Sequence, residues 1–113
     1  MESIIYNELC TRGYNVDVGV VPVVIREEGK QVRRQYEVDF VCNLGSKRYY
    51  IQTAWRMDSD AKIAQEEKSL RTIDDSFKKI LVVGYNTPII RDESGITTMS
   101  IYDFLLKENS LDL

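Results

Sequence analysis

Two neighbouring segments with apolar side chains at every second position constrain the fold of this chain most strongly. They span residues 36–42 and 47–55, and the four residues between them read Asn-Leu-Gly-Ser. Alternation at period two is typical of half-buried strands, and a short connection of this composition is typical of a hairpin loop. The sequence therefore predicts two adjacent antiparallel strands.

These two strands would hold an acid and an amide side by side. Asp39 lies in the first strand and Gln52 in the second. We predict that Val38, Phe40 and Cys42 share one face of the first strand and that Asp39 lies on the other. Polar side chains within apolar strands require hydrogen-bond partners, a cation or water. Asp39 and Gln52 are therefore the first candidates for a functional site.

The composition limits the class of protein. The chain has 113 residues, of which 43% are hydrophobic, and its formal net charge is −3. This length predicts one domain over residues 1–113, and the charge provides no overall basic excess for nucleic-acid binding. No apolar run reaches the length of a membrane span and no signal peptide opens the chain, so we expect a cytoplasmic protein without a membrane partner.

The chain contains no histidine and two cysteines. Without histidine, Ser-His and Cys-His nucleophile pairs are excluded. Chemistry would have to use carboxylates, amides, lysine and arginine, a set that suits a hard cation such as Mg²⁺. Cys10 and Cys42 lie in apolar patterns, so we expect both to be buried free thiols.

The order of predicted elements indicates an α/β domain with a mixed central sheet. A helix precedes a three-stranded meander, and a second helix separates the meander from two further strands and a closing helix. The helices are predicted at residues 2–12, 58–73 and 101–107, and the strands at 15–26, 32–42, 48–55, 78–85 and 96–100. In the first helix, Ile4, Ile5, Leu9 and Cys10 form the apolar stripe, and Glu8 lies at its edge. Glu8 is either a solvated carboxylate or an acid directed at a site beneath the helix.

This order resembles the core of the restriction-endonuclease-like nucleases, the PD-(D/E)xK superfamily. The residues that carry this resemblance are Glu8 on the first helix, Asp39 in the hairpin and Gln52 on the next strand. The resemblance implies an α-β-β-β-α-β core whose acids hold a divalent metal. Such a metal polarises the phosphate and lowers the pKa of a bound water. Glu8 and Asp39 would be the Mg²⁺ ligands, and all three residues would form the catalytic site.

The whole chain is more closely similar to the C-terminal domain of prokaryotic AAA-type ATPases that carry a domain of unknown function. The segments that carry this similarity are residues 5–9, 13–14, 37–41, 49–52, 69–70, 73–79 and 103–106. It implies a detached nuclease-like domain whose main partner is its own ATPase domain. The chain has no phosphate-binding loop of the Gly-Lys-Ser/Thr kind for ATP itself.

The lysine of the nuclease pattern falls on Ala54, which can neither donate a proton nor hold a water. We therefore expect a nuclease-like accessory domain that no longer cuts and that binds DNA or protein. One alternative is an active Mg²⁺-dependent nuclease in which Arg56, Lys62 or Lys68 replaces the lysine. Another is a purely structural protein-interaction domain.

Basic residues near the hairpin are the candidates for contact with nucleic acid. They form two adjacent pairs, Arg33 with Arg34 and Lys47 with Arg48. Lysine and arginine supply most of the affinity for a phosphate backbone. Charges at strand ends also serve as ordinary solubilising groups, so both interpretations stay open from the sequence.

Overall fold

The central feature of the fold is a six-stranded mixed sheet with strand order β1-β2-β3-β4-β6-β5. The computed structural model describes residues 2–54, 64, 67–68, 70–71, 73 and 76–113, with the backbone alone for 20–25 and 34–37. The strands are β1 (Asn15–Glu27), β2 (Lys30–Leu44), β3 (Lys47–Ala54), β4 (Lys78–Val83), β5 (Ile90–Arg91) and β6 (Ile96–Ser100). The helices are α1 (Glu2–Thr11) and α2 (Ile101–Leu106), and a 3₁₀ turn at Ser110–Asp112 follows. This architecture confirms the α/β prediction with a mixed sheet.

The first three strands form the predicted antiparallel meander through two tight turns. Glu28 and Gly29 connect β1 to β2 with φ values of 51° and 77°. Gly45, with φ of 60°, begins the turn between β2 and β3. Two-residue hairpins require such left-handed positions because their twist must match that of the strands. The second turn is shorter than the predicted four-residue loop, because Leu44 already pairs with Lys47.

The second half of the sheet is parallel. β3 pairs with β4 and β4 pairs with β6 in parallel registers, and the short β5 pairs with β6 antiparallel. Parallel neighbours need a long crossover connection. The connection from β3 to β4 has helical backbone at residues 64, 67–68 and 70–71, whereas Ile73, the last residue of the predicted helix, is not helical. The other residues of the helix predicted at 58–73 lie outside the described residues. β5 was not predicted. None of the helices described here is long and apolar enough to cross a membrane.

Each face of the sheet has its own apolar core. The α1 core includes Ile5, Leu9, Phe40, Cys42, Ile51 and Phe104, and the crossover core includes Val38, Val41, Tyr50, Ala54, Leu70 and Leu81. The predicted stripe on α1 is too wide, because Ile4 is 53% exposed. The prediction of two buried thiols is half wrong, because Cys42 is buried and Cys10 is exposed.

An extra residue in β2 changes which side chains face which core. The register passes from Asp17↔Val41 to Gly19↔Val38, so that two residues of β2 lie opposite Val18. Such a β-bulge shifts the alternation of the strand by one position. Val38 and Val41 consequently face the same core. The prediction that Val38 shares a face with Phe40 and Cys42 is therefore wrong.

The bulge also explains the glycine that lies next to it, opposite Val38. A Cβ atom on Gly19 would lie 2.6 Å from Cγ2 of Val38 and 2.9 Å from Cγ2 of Val41. The two strands can therefore approach here only because position 19 has no side chain. Gly19 fixes the place at which β2 gains its extra residue, which is the place where Asp39 lies.

Candidate functional site

The candidate site lies where β2 and β3 diverge. Their backbone pairing runs from Leu44↔Lys47 to Phe40↔Ile51, and beyond that pair side chains bridge the strands. The backbone N–H of Asp39 donates to Oε1 of Gln52 at 2.7 Å. Asp39 and Gln52 are therefore neighbours, but the contact joins the backbone of Asp39 to the side chain of Gln52 and does not join the carboxylate to the amide.

The carboxylate of Asp39 bonds to the next residue of β3. Its Oδ2 accepts from the backbone N–H of Thr53 at 2.9 Å and from Oγ1 of Thr53 at 2.6 Å. Hydrogen bonds to a charged group contribute about 1.5–3 kcal/mol each when they are sheltered from water. Asp39 is half-buried and Gln52 is 5% exposed. These contacts stabilise the point of divergence. Thr53 is a partner that the sequence analysis missed, although its hydroxyl follows Gln52 directly.

The position that corresponds to the nuclease lysine faces the interior. Ala54 is 1% exposed and packs in the crossover core with Tyr50 and Leu70. Gln52 lies on the same side of β3 as Ala54, because alternate residues share a face. By the same alternation Thr53, to which the Asp39 carboxylate bonds, lies on the α1 side with Ile51. The acid and the alanine position therefore point to opposite sides of β3.

Glu8 is directed at a different partner. Its Oε1 accepts from Nε of Arg12 at 3.1 Å. Arg12 in turn donates to Oγ of Ser110 at 2.7 Å and to the carbonyl oxygen of Phe104 at 2.6 Å. Glu8 thus belongs to a network that ties α1 to α2 and to the 3₁₀ turn. Arg12 is the residue at this end of α1 that the sequence analysis missed, and its i,i+4 spacing from Glu8 was the available signal.

A cavity of about 640 Å³ lies beside Asp39 under the first turns of α1. Its lining consists of Glu2, Ser3, Tyr6, Asn7, Val18, Gly19, Val38, Asp39 and Phe40. Glu2 is the α1 acid in this lining, because it lies on the opposite edge of the buried stripe from Glu8. Within the described part of the chain, no three His, Cys, Asp or Glu side chains are grouped closely enough to hold a metal ion. The Mg²⁺ site at Glu8 and Asp39 stays a prediction.

The basic candidates form two separate groups. Arg33 pairs with Val24 in the distal part of the β1–β2 hairpin, and Arg34 is described only by its backbone. Arg48 pairs with Asn43 at the other end of β2, about 30 Å away at the rise of a strand. Arg48 also donates to Oδ1 of Asn43 at 2.9 Å, and Lys47 beside it is exposed.

The candidates for a displaced lysine are only partly described. Arg56 and Lys62 lie outside the described residues, and Lys68 is exposed on the helical part of the crossover connection. The structure therefore leaves the displaced-lysine hypothesis as a prediction.

No protein-family model matches the chain. The chain is 30% identical over 109 residues to an uncharacterized protein of Haemophilus influenzae. The match covers 95% of this chain and 23% of that protein, so the chain spans about a quarter of the relative's length.

Proposed function

We propose that this chain is a nuclease-like domain of the restriction-endonuclease-like type that does not cut, and that it serves as an accessory domain of a longer AAA-type ATPase. In that role it binds DNA or a protein partner. The order of elements supports the proposal, because a helix, an antiparallel meander, a crossover and a parallel strand follow one another. The longer Haemophilus influenzae relative supports a role within a larger protein.

The observation that carries the proposal is the internal use of the candidate polar groups. The Asp39 carboxylate accepts two hydrogen bonds from Thr53, and Gln52 accepts one from the Asp39 backbone. A metal ion would have to compete with these contacts. Ala54 is buried where the nuclease pattern requires an amine. The same residues that would perform hydrolysis in an active relative thus stabilise the strands here.

The test of catalysis is incubation of the purified chain with Mg²⁺ or Mn²⁺ and with linear duplex, supercoiled and single-stranded DNA. We expect no cleavage of any form. The matched control is Asp39→Ala, which removes the acid that a metal-dependent mechanism would require. Cleavage by the native chain that Asp39→Ala abolishes would contradict the proposal and support the active-nuclease alternative.

A second measurement examines the structural role of Asp39 directly. We expect Asp39→Ala to lower the free energy of unfolding by about 1–3 kcal/mol, because the backbone N–H of Thr53 loses its acceptor. The loss should be the same with and without Mg²⁺. Stabilisation of the native chain by Mg²⁺ that Asp39→Ala removes would instead indicate a working metal site.

A DNA-binding assay distinguishes a DNA-binding accessory domain from a protein-binding one. A salt-sensitive shift of duplex or single-stranded DNA at low ionic strength supports a DNA-binding domain, because phosphate contacts weaken as salt rises. No shift at low ionic strength favours the purely protein-binding role, and an ATPase segment would then be the expected partner.

A further inference from the structure

The outer part of the β1–β2 hairpin extends beyond the rest of the sheet. β2 pairs with β3 only over residues 40–44. Among the described strands, its residues 30–38 pair only with residues 19–27 of β1, and we call these two paired segments the outer hairpin. Its nine residue pairs span about 27 Å at the rise of a strand. The outer hairpin is therefore a two-stranded ribbon that continues past the end of the β2–β3 pairing.

The register of the outer hairpin divides its residues between two faces. Residues directly opposite each other share a face, and so do alternate residues of one strand. Arg26 lies opposite Gln31, and Val24 lies opposite Arg33. Arg26, Gln31 and Arg33 consequently share one face, which we call the polar face. It is the α1 side of the sheet, because Arg33 is five positions from Val38, which faces the crossover core.

The polar face presents its arginines to solvent. Arg26, Gln31 and Arg33 are all exposed. Within the described part of the chain, neither arginine forms an ion pair or a hydrogen bond with another side chain. A guanidinium group offers five N–H donors in a planar fork and keeps its charge at any physiological pH. The donors of both groups are therefore available to an anionic partner.

The outer hairpin differs in charge from the chain as a whole. Residues 26–35 include four lysines or arginines and two glutamates, whereas the whole chain carries −3. The acids that follow Arg33 on the same side of β2 are Glu37 and Asp39, four and six residues away, which is about 13 and 20 Å at the rise of a strand. Both distances exceed the screening length of about 10 Å at 0.1 M salt. The polar face is therefore a positive region that is separate from the acids nearer β3.

The dimensions of the outer hairpin match the major groove of duplex DNA. That groove is about 12 Å wide and admits a two-stranded β-ribbon. Alternate residues of a strand, such as Gln31 and Arg33, are about 6.6–6.8 Å apart, and two base-pair steps of about 3.4 Å cover the same distance. Arginine forms paired hydrogen bonds with the edge of guanine, and glutamine does so with the edge of adenine. The polar face therefore combines the spacing and the side chains that major-groove contact requires.

We propose that the outer hairpin enters the major groove of duplex DNA with its polar face towards the bases, and that Arg26 and Arg33 are its main contacts. Gln31 lies between them as an amide that bonds to a base edge. This inference rests on the proposed accessory role, in which it names duplex DNA as the partner and the outer hairpin as the point of contact. Asp39 and Gln52 keep their structural role and take no part in the contact.

The test is fluorescence anisotropy of a labelled, mixed-sequence DNA duplex titrated with the full chain in EDTA at about 0.1 M salt. We expect saturable binding that weakens by about tenfold in Arg33→Gln and in Arg26→Gln, because each loses a charged contact with DNA. The matched control is Arg91→Gln, which removes the same charge from an exposed position on β5, at the opposite edge of the sheet from β1. Its affinity should stay within about twofold of the native value.

Groove-specific competitors examine the geometry of the contact. Methyl green, which occupies the major groove, should displace the chain, whereas netropsin, which occupies the minor groove, should not. Displacement by netropsin alone would overturn the proposal, as would tighter binding to single-stranded DNA or to RNA than to the duplex. The absence of saturable duplex binding, or an equal loss in Arg91→Gln and Arg33→Gln, would overturn it as well.

Circular dichroism would establish that the variants fold, and Arg33→Gln alone suffices if Arg26→Gln does not. Failure of this inference is distinguishable from failure of the proposed function. Without duplex binding, the accessory role persists in its protein-binding form. Mg²⁺-dependent cleavage that Asp39→Ala abolishes would instead contradict the proposed function, and it would leave the binding measured in EDTA unchanged.

Discussion

Arg12 holds three parts of the chain together, and its replacement should be among the most damaging single changes. Its side chain is 13% exposed. Besides Glu8, it contacts Oγ of Ser110 and the carbonyl oxygens of Phe104 and Lys107. Its guanidinium also lies 5.1 Å from the centre of the Phe104 ring. Through these contacts one residue at the end of α1 fixes α2 and the 3₁₀ turn.

The magnitude follows from the number and charge of these contacts. A hydrogen bond from a charged donor contributes about 1.5–3 kcal/mol, and the values do not add because water enters the vacated space. A cation over an aromatic ring contributes about 0.5–1 kcal/mol more when it is partly exposed. We therefore expect Arg12→Ala to lower the free energy of unfolding by about 2–4 kcal/mol. For a chain of this size the midpoint of thermal unfolding should fall by about 10 °C.

The assay is equilibrium unfolding in urea followed by circular dichroism. Arg26→Ala is the matched control, because it removes an exposed arginine from β1 and should change stability by less than about 0.5 kcal/mol. Glu8→Gln should change it by only about 0.5 kcal/mol, as expected of a partly exposed i,i+4 pair. A loss below about 1 kcal/mol in Arg12→Ala would refute the reasoning.

Three further predictions concern the interior. Gly19→Ala should destabilise the fold by about 1–3 kcal/mol, because the new Cβ meets Val38 at 2.6 Å; urea unfolding measures this. Ala54→Lys should destabilise by several kcal/mol, on the order of 3–5, and should restore no nuclease activity, because its ammonium enters the crossover core; unfolding and DNA cleavage assays measure both effects. Burial raises the pKa of Cys42 from 9.0 to about 12, so the folded state keeps a proton that the unfolded state loses. Stability should therefore fall as pH rises from about 9 towards 12, and Cys42→Val should reduce this fall in urea unfolding at successive pH values.

Each of these predictions has a matched control. Val18→Ala alters an exposed neighbour of Gly19 and should cost less than about 1 kcal/mol. Ala54→Met adds length without charge, so equal losses in Ala54→Met and Ala54→Lys would show that size alone is responsible. Cys10→Val removes the exposed thiol, and an equal change of the alkaline slope in Cys10→Val and Cys42→Val would contradict the role of burial.

The sequence predicted the sheet better than it predicted the faces of the sheet. Period-two alternation and the two turns were sufficient for the meander, because both are local signals. The bulge next to Gly19 depends on how closely β1 approaches β2, which no local pattern reveals. One extra residue therefore placed Val38 in the other core. It also placed Asp39 beside the α1 residues that line the cavity, on the same side as Phe40 and not on the opposite face as predicted.

In α1, likewise, the sequence predicted the buried residues but not the partner of the polar residue at their edge. Ile5 and Leu9 were predicted to face inward and are buried. Glu8 lies at the edge of that stripe, and helical spacing alone could not decide between solvent, metal and an ionic partner. In the structure Glu8 pairs with Arg12, whose contacts with Phe104 and Ser110 join segments that are distant along the chain.

The parallel pairing of β3 with β4 has a consequence for the order of folding. The meander forms from contacts that are close along the chain, whereas Tyr49 pairs with Lys78 across the whole crossover connection. Closing so long a loop is slower than closing a hairpin. We expect the amino-terminal hairpins to assemble early and to offer β3 as the template on which the carboxyl-terminal half of the chain then completes its structure.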